Sequence, residues 1–405
     1  MHYQGPRRVS FHENTFYETS TTMGYTQLDE NQDGDSFTTA TPERKPQRWV
    51  LHAFLFVATF VSCTIAGAVW SGVQQPFDVS TWGAGLTYAV LIMVFISAHE
   101  FGHYFAARHH GVDATLPYYI PMPFVAFMPF GTMGAVIRTR SVIPSRNILF
   151  DIGVAGPLAG FVVSLLTLII GLMTLPPREY LYAIHPEYLQ YFGGIIPDFG
   201  MYFGDTALYS ILTSVLPITS SNLPPMNEMY HYPFLCVGWF GLFVTSLNML
   251  PIGQLDGGHV VYGMFGTNQR RIARIAVAIM IAIGMGGVLG DLRGFIDIDS
   301  PDSIFLFLQS SIRPLIRWIG QNAPWVFQGW TGWLVWAGFA RFFFRLNHPD
   351  IHSDEPLDRR RMIVGWIALL IFALCFSPNG IYEKSAGAGA PLFVKPDAVV
   401  HSLTP

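Results

Sequence analysis

His99, Glu100 and His103 form the pattern H-E-x-x-H within the apolar stretch FISAHEFGHYFAARHHG, residues 95–111. On a helix, side chains four residues apart point the same way, so both imidazoles could bind one zinc ion. Glu100 would lie beside that ion and could accept a proton from an attacking water. The alternative is two interfacial histidines hydrogen-bonded to backbone. Because ionisable groups inside an apolar span are costly and usually mark function, the pattern favours a zinc site.

A catalytic zinc ion usually has three protein ligands, so a third side chain must come from elsewhere in the chain. Asp151 opens an apolar run beside a basic loop, where we expect it to pair with an arginine of that loop. Asp291 follows another run, on the side of the membrane that we predict to be external. Asp256 lies at the end of an apolar run, on the side of the membrane that we predict to be cytosolic. His103 is predicted to lie on the same side, which makes Asp256 the favoured carboxylate.

Asp256 lies in NMLPIGQLDGGHV, residues 248–260. Pro251 and Gly253 should break the helix there, and broken backbone at membrane depth is tolerated where it lines a cavity. A tight turn at Asp256–Gly257 is the alternative explanation of the same residues. Position favours the ligand over the turn but does not exclude the turn.

His109 and His110 follow Arg108 at the predicted end of the same helix. A solvated helix terminus explains both, so we do not expect them to reach the zinc site.

The elements that position these residues must be membrane helices. Of the 405 residues, 51% are hydrophobic and only 12% are charged, about half the charged share of a soluble domain. The net charge of −4 and the lack of a basic run argue against a nucleic-acid partner. The three cysteines lack zinc-ribbon or redox spacing and are expected to be buried: Cys63, Cys236 and Cys375.

The apolar runs predict an all-α polytopic membrane protein with about six transmembrane helices. These lie near residues 49–70, 82–108, 149–175, 233–250, 272–289 and 325–344, with a possible seventh at 362–376. Residues 304–319 contain Arg313, Pro314 and Arg317, so an interfacial amphipathic helix is expected there.

Basic residues predict the orientation of the chain. They cluster before the first span, between the second and third, after the fourth and before the seventh. Residues 176–232, by contrast, contain Arg178 as their only lysine or arginine. Seven spans place every basic cluster on one face, with a cytosolic N-terminus and an external C-terminus. With six spans, the C-terminus would also be cytosolic.

Residues 115–140 do not form a span, because four prolines prevent a continuous helix. Residues 131–140, GTMGAVIRTR, alternate weakly in the manner of a strand. We expect a small β-like re-entrant segment near the site, entering from the cytosolic side, with an ordinary interfacial loop as the alternative.

These motifs resemble those of the site-2 proteases, the intramembrane zinc metalloproteases of peptidase family M50. HEFGH resembles the family's catalytic helix, NMLPIGQLDGG its N-x-x-P-x-x-x-L-D-G motif, and GVAGPLAGF, residues 153–161, its small-residue span. Gly253 departs from the pattern, since members often have a second proline there. Residues 176–232 are too short for an inserted PDZ-like domain, which disfavours the subgroup that has one.

The resemblance implies one zinc ion per chain, bound by His99, His103 and Asp256. It implies Glu100 as the catalytic base and Asn248 as an aid to substrate or oxyanion stabilisation. The segment that contains Gly131 and Gly134 would pair with an extended substrate. The substrates would be single-pass membrane proteins within the lipid bilayer; no pattern indicates an oligomeric state.

Two other functions share these features, namely a metal-ion transporter and a catalytically silent scaffold of the same fold. A transporter should carry further polar residues across its other spans, and a silent scaffold should have lost Glu100 or a ligand. A bacterial inner membrane is the favoured location, with an organellar membrane as the alternative.

The expected organisation follows from these spans and motifs. Residues 1–48 form a disordered cytosolic tail, 49–110 the first two spans, 111–148 the cytosolic-side β-like segment, 149–265 the catalytic core with its external loop 176–232, 266–377 further C-terminal helices, and 378–405 a C-terminal tail. His348 and His352, which follow the sixth span, could act as a gate but are expected at the surface.

Overall fold

Helices dominate the computed structural model, which describes residues 46–124, 130–219, 222–296, 303–342 and 355–384. They are α1 (Trp49–Trp70), α2 (Leu86–His109), α3 (Arg146–Met173), α4 (Glu179–Ile184), α5 (Pro186–Phe192), α6 (Ala207–Val215), α7 (Pro233–Asn248), α8 (Asp256–Phe265), α9 (Gln269–Phe295), α10 (Ser303–Asn322), α11 (Gly332–Phe342) and α12 (Arg359–Cys375). Most of the expected N-terminal tail, together with His348 and His352, lies outside the described residues.

Four helical stretches of the described chain are long and apolar enough to cross a membrane. They are Trp49–Trp70, Val79–His109, Arg146–Met173 and Asp256–Arg293. The prediction of a mainly helical membrane protein is therefore confirmed, but six or seven spans are not. Helix α7 has 16 residues, α11 has 11 and α12 has 17, fewer than the roughly 20 that a straight crossing needs.

The predicted and observed helix boundaries agree best where an apolar run has no interruption. The first span coincides with α1, whereas the fifth begins earlier than predicted, because a 3₁₀ turn at Gly266–Asn268 joins α8 to α9. Helix α10 continues through Pro314. Its interfacial position stays a prediction.

The proline-rich segment forms a hairpin rather than a plain loop. Strands β1 (Tyr118–Pro121) and β2 (Thr132–Val136) are antiparallel, with an irregularity after Tyr119. The hairpin lies along α1: the carbonyl of Pro117 is 3.0 Å from Nδ1 of His52, and the carbonyl of Gly131 accepts a bond from Ser62. The β-like segment expected from the sequence is therefore present. It packs against a candidate span for much of that span's length.

A second small sheet, which the all-α prediction missed, joins distant parts of the chain. Strand β3 (Gly200–Phe203) pairs antiparallel with β4 (Ile381–Lys384), which follows α12. Both are four residues long, too short for their sequence pattern to distinguish them from loop. Their pairing places the end of α12 against the segment between α3 and α7.

Candidate metal centre

The predicted metal ligands meet in the interior of the structure. His99 and His103 lie one turn apart on α2, and Asp256 is the first residue of α8. The two Nε2 atoms of the histidines are 3.2 Å apart. Oδ2 of Asp256 lies 3.2 Å from Nε2 of His99 and 3.3 Å from that of His103. Three ligand atoms thus form a nearly equilateral triangle.

This triangle has the dimensions of one face of a zinc site. Three atoms at these separations lie on a circle with a radius of about 1.9 Å, so an ion just above their plane would reach all three at zinc–ligand distances of about 2.0–2.2 Å. Two imidazoles and a carboxylate are also a ligand set that zinc accepts. The residues present therefore fit the ion that the sequence predicts.

The hydrogen bonding of His103 supports the same conclusion. Its Nδ1 lies 2.7 Å from the backbone carbonyl of Ile152 on α3, so Nδ1 carries the proton and donates it to that carbonyl. In the neutral ring, Nε2 then presents a lone pair toward the oxygen of Asp256. Electron-rich atoms so close together repel each other unless a cation or an added proton lies between them.

Glu100 is held next to this triangle by the hairpin. Its side chain is buried, and Oε2 accepts a hydrogen bond of 2.9 Å from the backbone N–H of Ile137, the residue after β2. The strand thus orients the carboxylate that the sequence predicts as the base. Ile137 has no motif of its own, and the sequence analysis did not identify it.

Asn248 also reaches the centre, because α7 ends at this residue. Its Nδ2 lies 3.3 Å from Nε2 of His99. An amide donor is therefore present beside the ligand atoms, which is compatible with its predicted role.

Small residues on α3 allow the centre to form. A Cβ atom at Gly156 would lie 2.1 Å from Nε2 of His103, and one at Gly160 would lie 3.1 Å from Nδ1 of His99. The first distance leaves no room for any side chain. The motif GVAGPLAGF thus marks the helix face that the histidine rings pack against.

The break between α7 and α8 occurs where Pro251 and Gly253 predict it. Gly253 has a φ of +50°, a conformation that proline cannot adopt, so the departure from the family pattern matches the local backbone. A Cβ atom at Gly257 would lie 2.0 Å from the carbonyl oxygen of Met249. The loop folds tightly back on the start of α8 and brings Asp256 to the histidines.

The remaining candidates lie elsewhere. Asp151 pairs with an arginine, as expected, but that arginine is Arg361 of α12 and not a residue of the neighbouring loop. His110 also lies 2.9 Å from Asp151, which engages it away from the metal triangle. His109 is exposed.

Gly131 and Gly134 differ in their surroundings. A Cβ atom at Gly131 would lie 2.5 Å from the carbonyl oxygen of Ser62, so this glycine allows the hairpin to approach α1. At Gly134 no described heavy atom lies within 4 Å of the corresponding position. Open space therefore lies beside Gly134 and not beside Gly131.

Comparisons with known proteins agree with this centre. Residues 87–288 match the family model of peptidase family M50, about half of the chain. The probable zinc metalloprotease EGY2, chloroplastic, of Oryza sativa subsp. indica is 26% identical over 69% of this chain and 46% of its own length. The probable zinc metalloprotease EGY1, chloroplastic, of Arabidopsis thaliana is 30% identical over 50% of this chain and 34% of its own length.

The chain thus spans less than half the length of either relative. No solved structure matches it at a significant level. The family match covers all three members of the ligand triangle, the glutamate beside them and the small-residue face of α3. The chain belongs to peptidase family M50.

Proposed function

We propose that this protein is an intramembrane zinc metalloprotease that hydrolyses peptide bonds within or near the transmembrane segments of single-pass membrane proteins. The observation that carries the proposal is the ligand triangle of His99, His103 and Asp256 with Glu100 beside it, formed by two helical stretches that are each long and apolar enough to cross a membrane. The names of the M50 relatives, which describe probable zinc metalloproteases, support it.

The chain's own residues account for the proton transfers of peptide hydrolysis. When bound, zinc would polarise the scissile carbonyl and the attacking water. Glu100 would accept the proton of that water and later deliver it to the leaving amine. The N–H of Ile137 fixes one oxygen of Glu100, so the other can face the water. The amide of Asn248 would stabilise negative charge that develops on the substrate oxygen.

The depth of the site suits a reaction that needs water. His103 lies six residues before the end of α2, roughly 9 Å along the helix axis. Asp256 starts a helix of ten residues, roughly 15 Å long, whose other end is bonded through Gly263 to Arg146 at the start of α3. The path from the predicted cytosolic face to the ligands is therefore short.

Strand β2 would bind the substrate. A helical substrate must unwind before its amides can be cleaved, and an extended segment can pair with the free edge of a two-stranded sheet. The described sheet contains β1 and β2, so β2 has one edge without a strand partner. The end of β2 contacts Glu100 through Ile137, which would bring a bound segment close to the base.

The names of the relatives indicate the kind of membrane in which this protein would lie. Both relatives are described as chloroplastic, which supports an organellar membrane. They give no support to the bacterial inner membrane that the sequence analysis favoured. The composition fits either membrane equally well, because both require the same apolar spans.

A metal-ion transporter and a silent scaffold are less favoured. A transporter has no need of Glu100 held by a backbone N–H next to the ligands, and a scaffold has no need of an intact ligand set. Membership of a peptidase family argues in the same direction.

Exchange of Glu100 for glutamine tests the proposal. Purified Glu100→Gln protein in detergent or liposomes should retain zinc but cleave a single-span substrate at least about 100-fold more slowly, because an amide cannot accept the proton. Glu179→Gln, the same exchange at an exposed position, is the control. Cleavage by Glu100→Gln at the parent rate would rule out the protease. Metal uptake into proteoliposomes by this variant would favour the transporter.

A further inference from the structure

A second cluster of ligand-type side chains lies in the segment between α3 and α7. It consists of His185, between α4 and α5, with Glu228 and His231 at a 3₁₀ turn (Met229–His231). The Nε2 atoms of the two histidines are 2.8 Å apart. Oε2 of Glu228 lies 3.7 Å from Nε2 of His185 and 3.6 Å from Nε2 of His231.

Both histidines have their other ring nitrogen engaged by an acceptor. Nδ1 of His231 lies 2.8 Å from the backbone carbonyl of Trp70 at the end of α1. Nδ1 of His185 lies 2.7 Å from a carboxylate oxygen of Glu187. Neither acceptor can donate a proton, so both Nδ1 atoms must carry one. In the neutral rings, two Nε2 lone pairs then face each other at 2.8 Å. This arrangement requires a cation or an added proton between them.

Glu228 distinguishes these two possibilities. Its side chain is 2% exposed, and Oε1 accepts a hydrogen bond of 2.6 Å from the hydroxyl of Tyr188. Oε2 has no hydrogen-bond partner among the described residues. A proton shared by the two imidazoles would leave this buried oxygen without a partner, which is unfavourable for a buried carboxylate. An ion between all three groups would satisfy it.

The dimensions of the cluster fit such an ion. Three atoms with separations of 2.8, 3.6 and 3.7 Å lie on a circle with a radius of about 2.0 Å, which is the length of a zinc–nitrogen or zinc–oxygen bond. His185 is 22% exposed and offers an entry path from solvent.

We propose that His185, Glu228 and His231 form a second zinc site, separate from the catalytic one. Bound zinc would tie residue 185 to residues 228–231 and, through Trp70, to the end of α1. The site would thus fasten the segment between α3 and α7 to the membrane helices. This proposal rests on its own atoms and does not depend on the protease activity.

Zinc counting on the full chain tests the second site. The protein is purified in detergent, exchanged into metal-free buffer and dialysed against buffered free zinc, and bound zinc is measured by mass spectrometry. We expect two zinc ions per chain in the parent and one in a His99→Ala/His103→Ala background, which removes the catalytic ligands. Adding His185→Ala to this background should remove the remaining ion. Adding Glu228→Gln, which keeps the shape of the side chain, should weaken its binding at least tenfold.

His109→Ala in the same background is the matched control, because His109 is an exposed histidine outside both clusters. His185→Ala alone, in the otherwise unchanged chain, should retain one zinc ion, which shows that the variant folds. Cobalt replacing the ion in the background should give the visible absorption bands of a four-coordinate site, and these should vanish with His185→Ala. A monodisperse background protein without bound zinc would overturn the proposal. So would zinc binding of unchanged affinity after His185→Ala.

Discussion

His103 illustrates how one contact prepares a side chain for metal binding. The carbonyl of Ile152 accepts a hydrogen bond from Nδ1–H, so the lone pair of Nε2 is directed to the centre. His231 is arranged in the same way by the carbonyl of Trp70. In both cases a backbone carbonyl of another helix selects the tautomer. The histidine alone, read from the sequence, does not reveal which nitrogen is available.

We expect Asn248 to contribute to catalysis and not to zinc binding. Its Nδ2 lies close to His99 but is a donor and not a metal ligand. We expect Asn248→Ala to lower kcat/KM for a single-span substrate by about 100-fold, the loss typical of one oxyanion donor, with zinc content unchanged. Steady-state kinetics together with zinc analysis measure both quantities. If Asn248→Ala loses zinc in proportion to activity, Asn248 supports the metal ligands instead.

Helix α3 contributes to the metal centre because it has glycines where it packs against α2. Its glycines let α2 approach so closely that the histidine rings occupy the space of absent side chains. Helix α2 can therefore present both imidazoles to α8 across the surface of α3. Even one methyl group added at Gly156 would overlap the ring of His103 and displace it.

Gly156→Ala tests this packing. The new methyl carbon would lie 2.1 Å from Nε2 of His103, so the ring must move and zinc affinity should fall at least tenfold. The same exchange at Gly171 is the control, because there the methyl carbon would meet Phe234, 2.8 Å away, far from the ligands. Gly171→Ala should lower stability by about 1–3 kcal/mol and leave zinc affinity unchanged. Competition with a zinc chelator measures the affinity. Equal zinc affinity in Gly156→Ala and the parent would contradict the packing argument.

Strand β2 makes a second prediction at the scale of elements. Met133 is an exposed position on β2, and because N–H groups alternate along a strand, its N–H points to the same edge as that of Ile137, away from β1. Proline at this position would remove a donor from the free edge. We expect Met133→Pro to reduce cleavage at least tenfold without loss of zinc, if substrate pairs with this strand. Met133→Ala keeps the backbone N–H and should remain active. Full activity in Met133→Pro would exclude substrate pairing with β2.

Contacts between distant segments define the whole molecule. Arg361 of α12 forms two hydrogen bonds, of 2.8 and 2.7 Å, with Asp151 near the start of α3. At the other end of α12, β4 pairs with β3. Helix α12 thus connects the start of α3 with β3. The seventh crossing and the external C-terminus stay predictions.

Cysteine labelling tests that arrangement. Leu189→Cys and Glu383→Cys place exposed thiols in α5 and β4, and Val142→Cys places one before α3. The native cysteines Cys63, Cys236 and Cys375 are 0% exposed and should stay silent. In oriented vesicles, an impermeant maleimide should label positions 189 and 383 from one face and position 142 from the other. Labelling of position 383 together with 142 would favour six crossings.

Much of the candidate metal centre could be predicted from the sequence, because the signals that mark it are local. The spacing of His99, Glu100 and His103 follows from the period of one helix, and Pro251 and Gly253 mark the break before Asp256. These residues were predicted and lie together. For each of these residues, the neighbouring sequence is sufficient to predict the secondary structure in which the residue lies.

The second cluster could not be found in this way. Glu228 and His231 have the spacing of one helical turn, a signal that the sequence offered, but His185 lies more than 40 residues away. Only the folded segment brings them together, just as only the packing of α12 on α3 joins Arg361 to Asp151 across 210 positions.

The sequence by itself therefore determined the class of protein, the apolar helices and the residues that meet in the first cluster, because composition and periodicity are properties of short stretches. The tertiary structure decided which carbonyls orient the histidines, how β2 holds Glu100 and which distant side chains form the second cluster. The physical reason is that a hydrogen bond or a metal ligand set depends on atoms a few ångströms apart. Sequence spacing controls that distance within a helix turn but not across a fold.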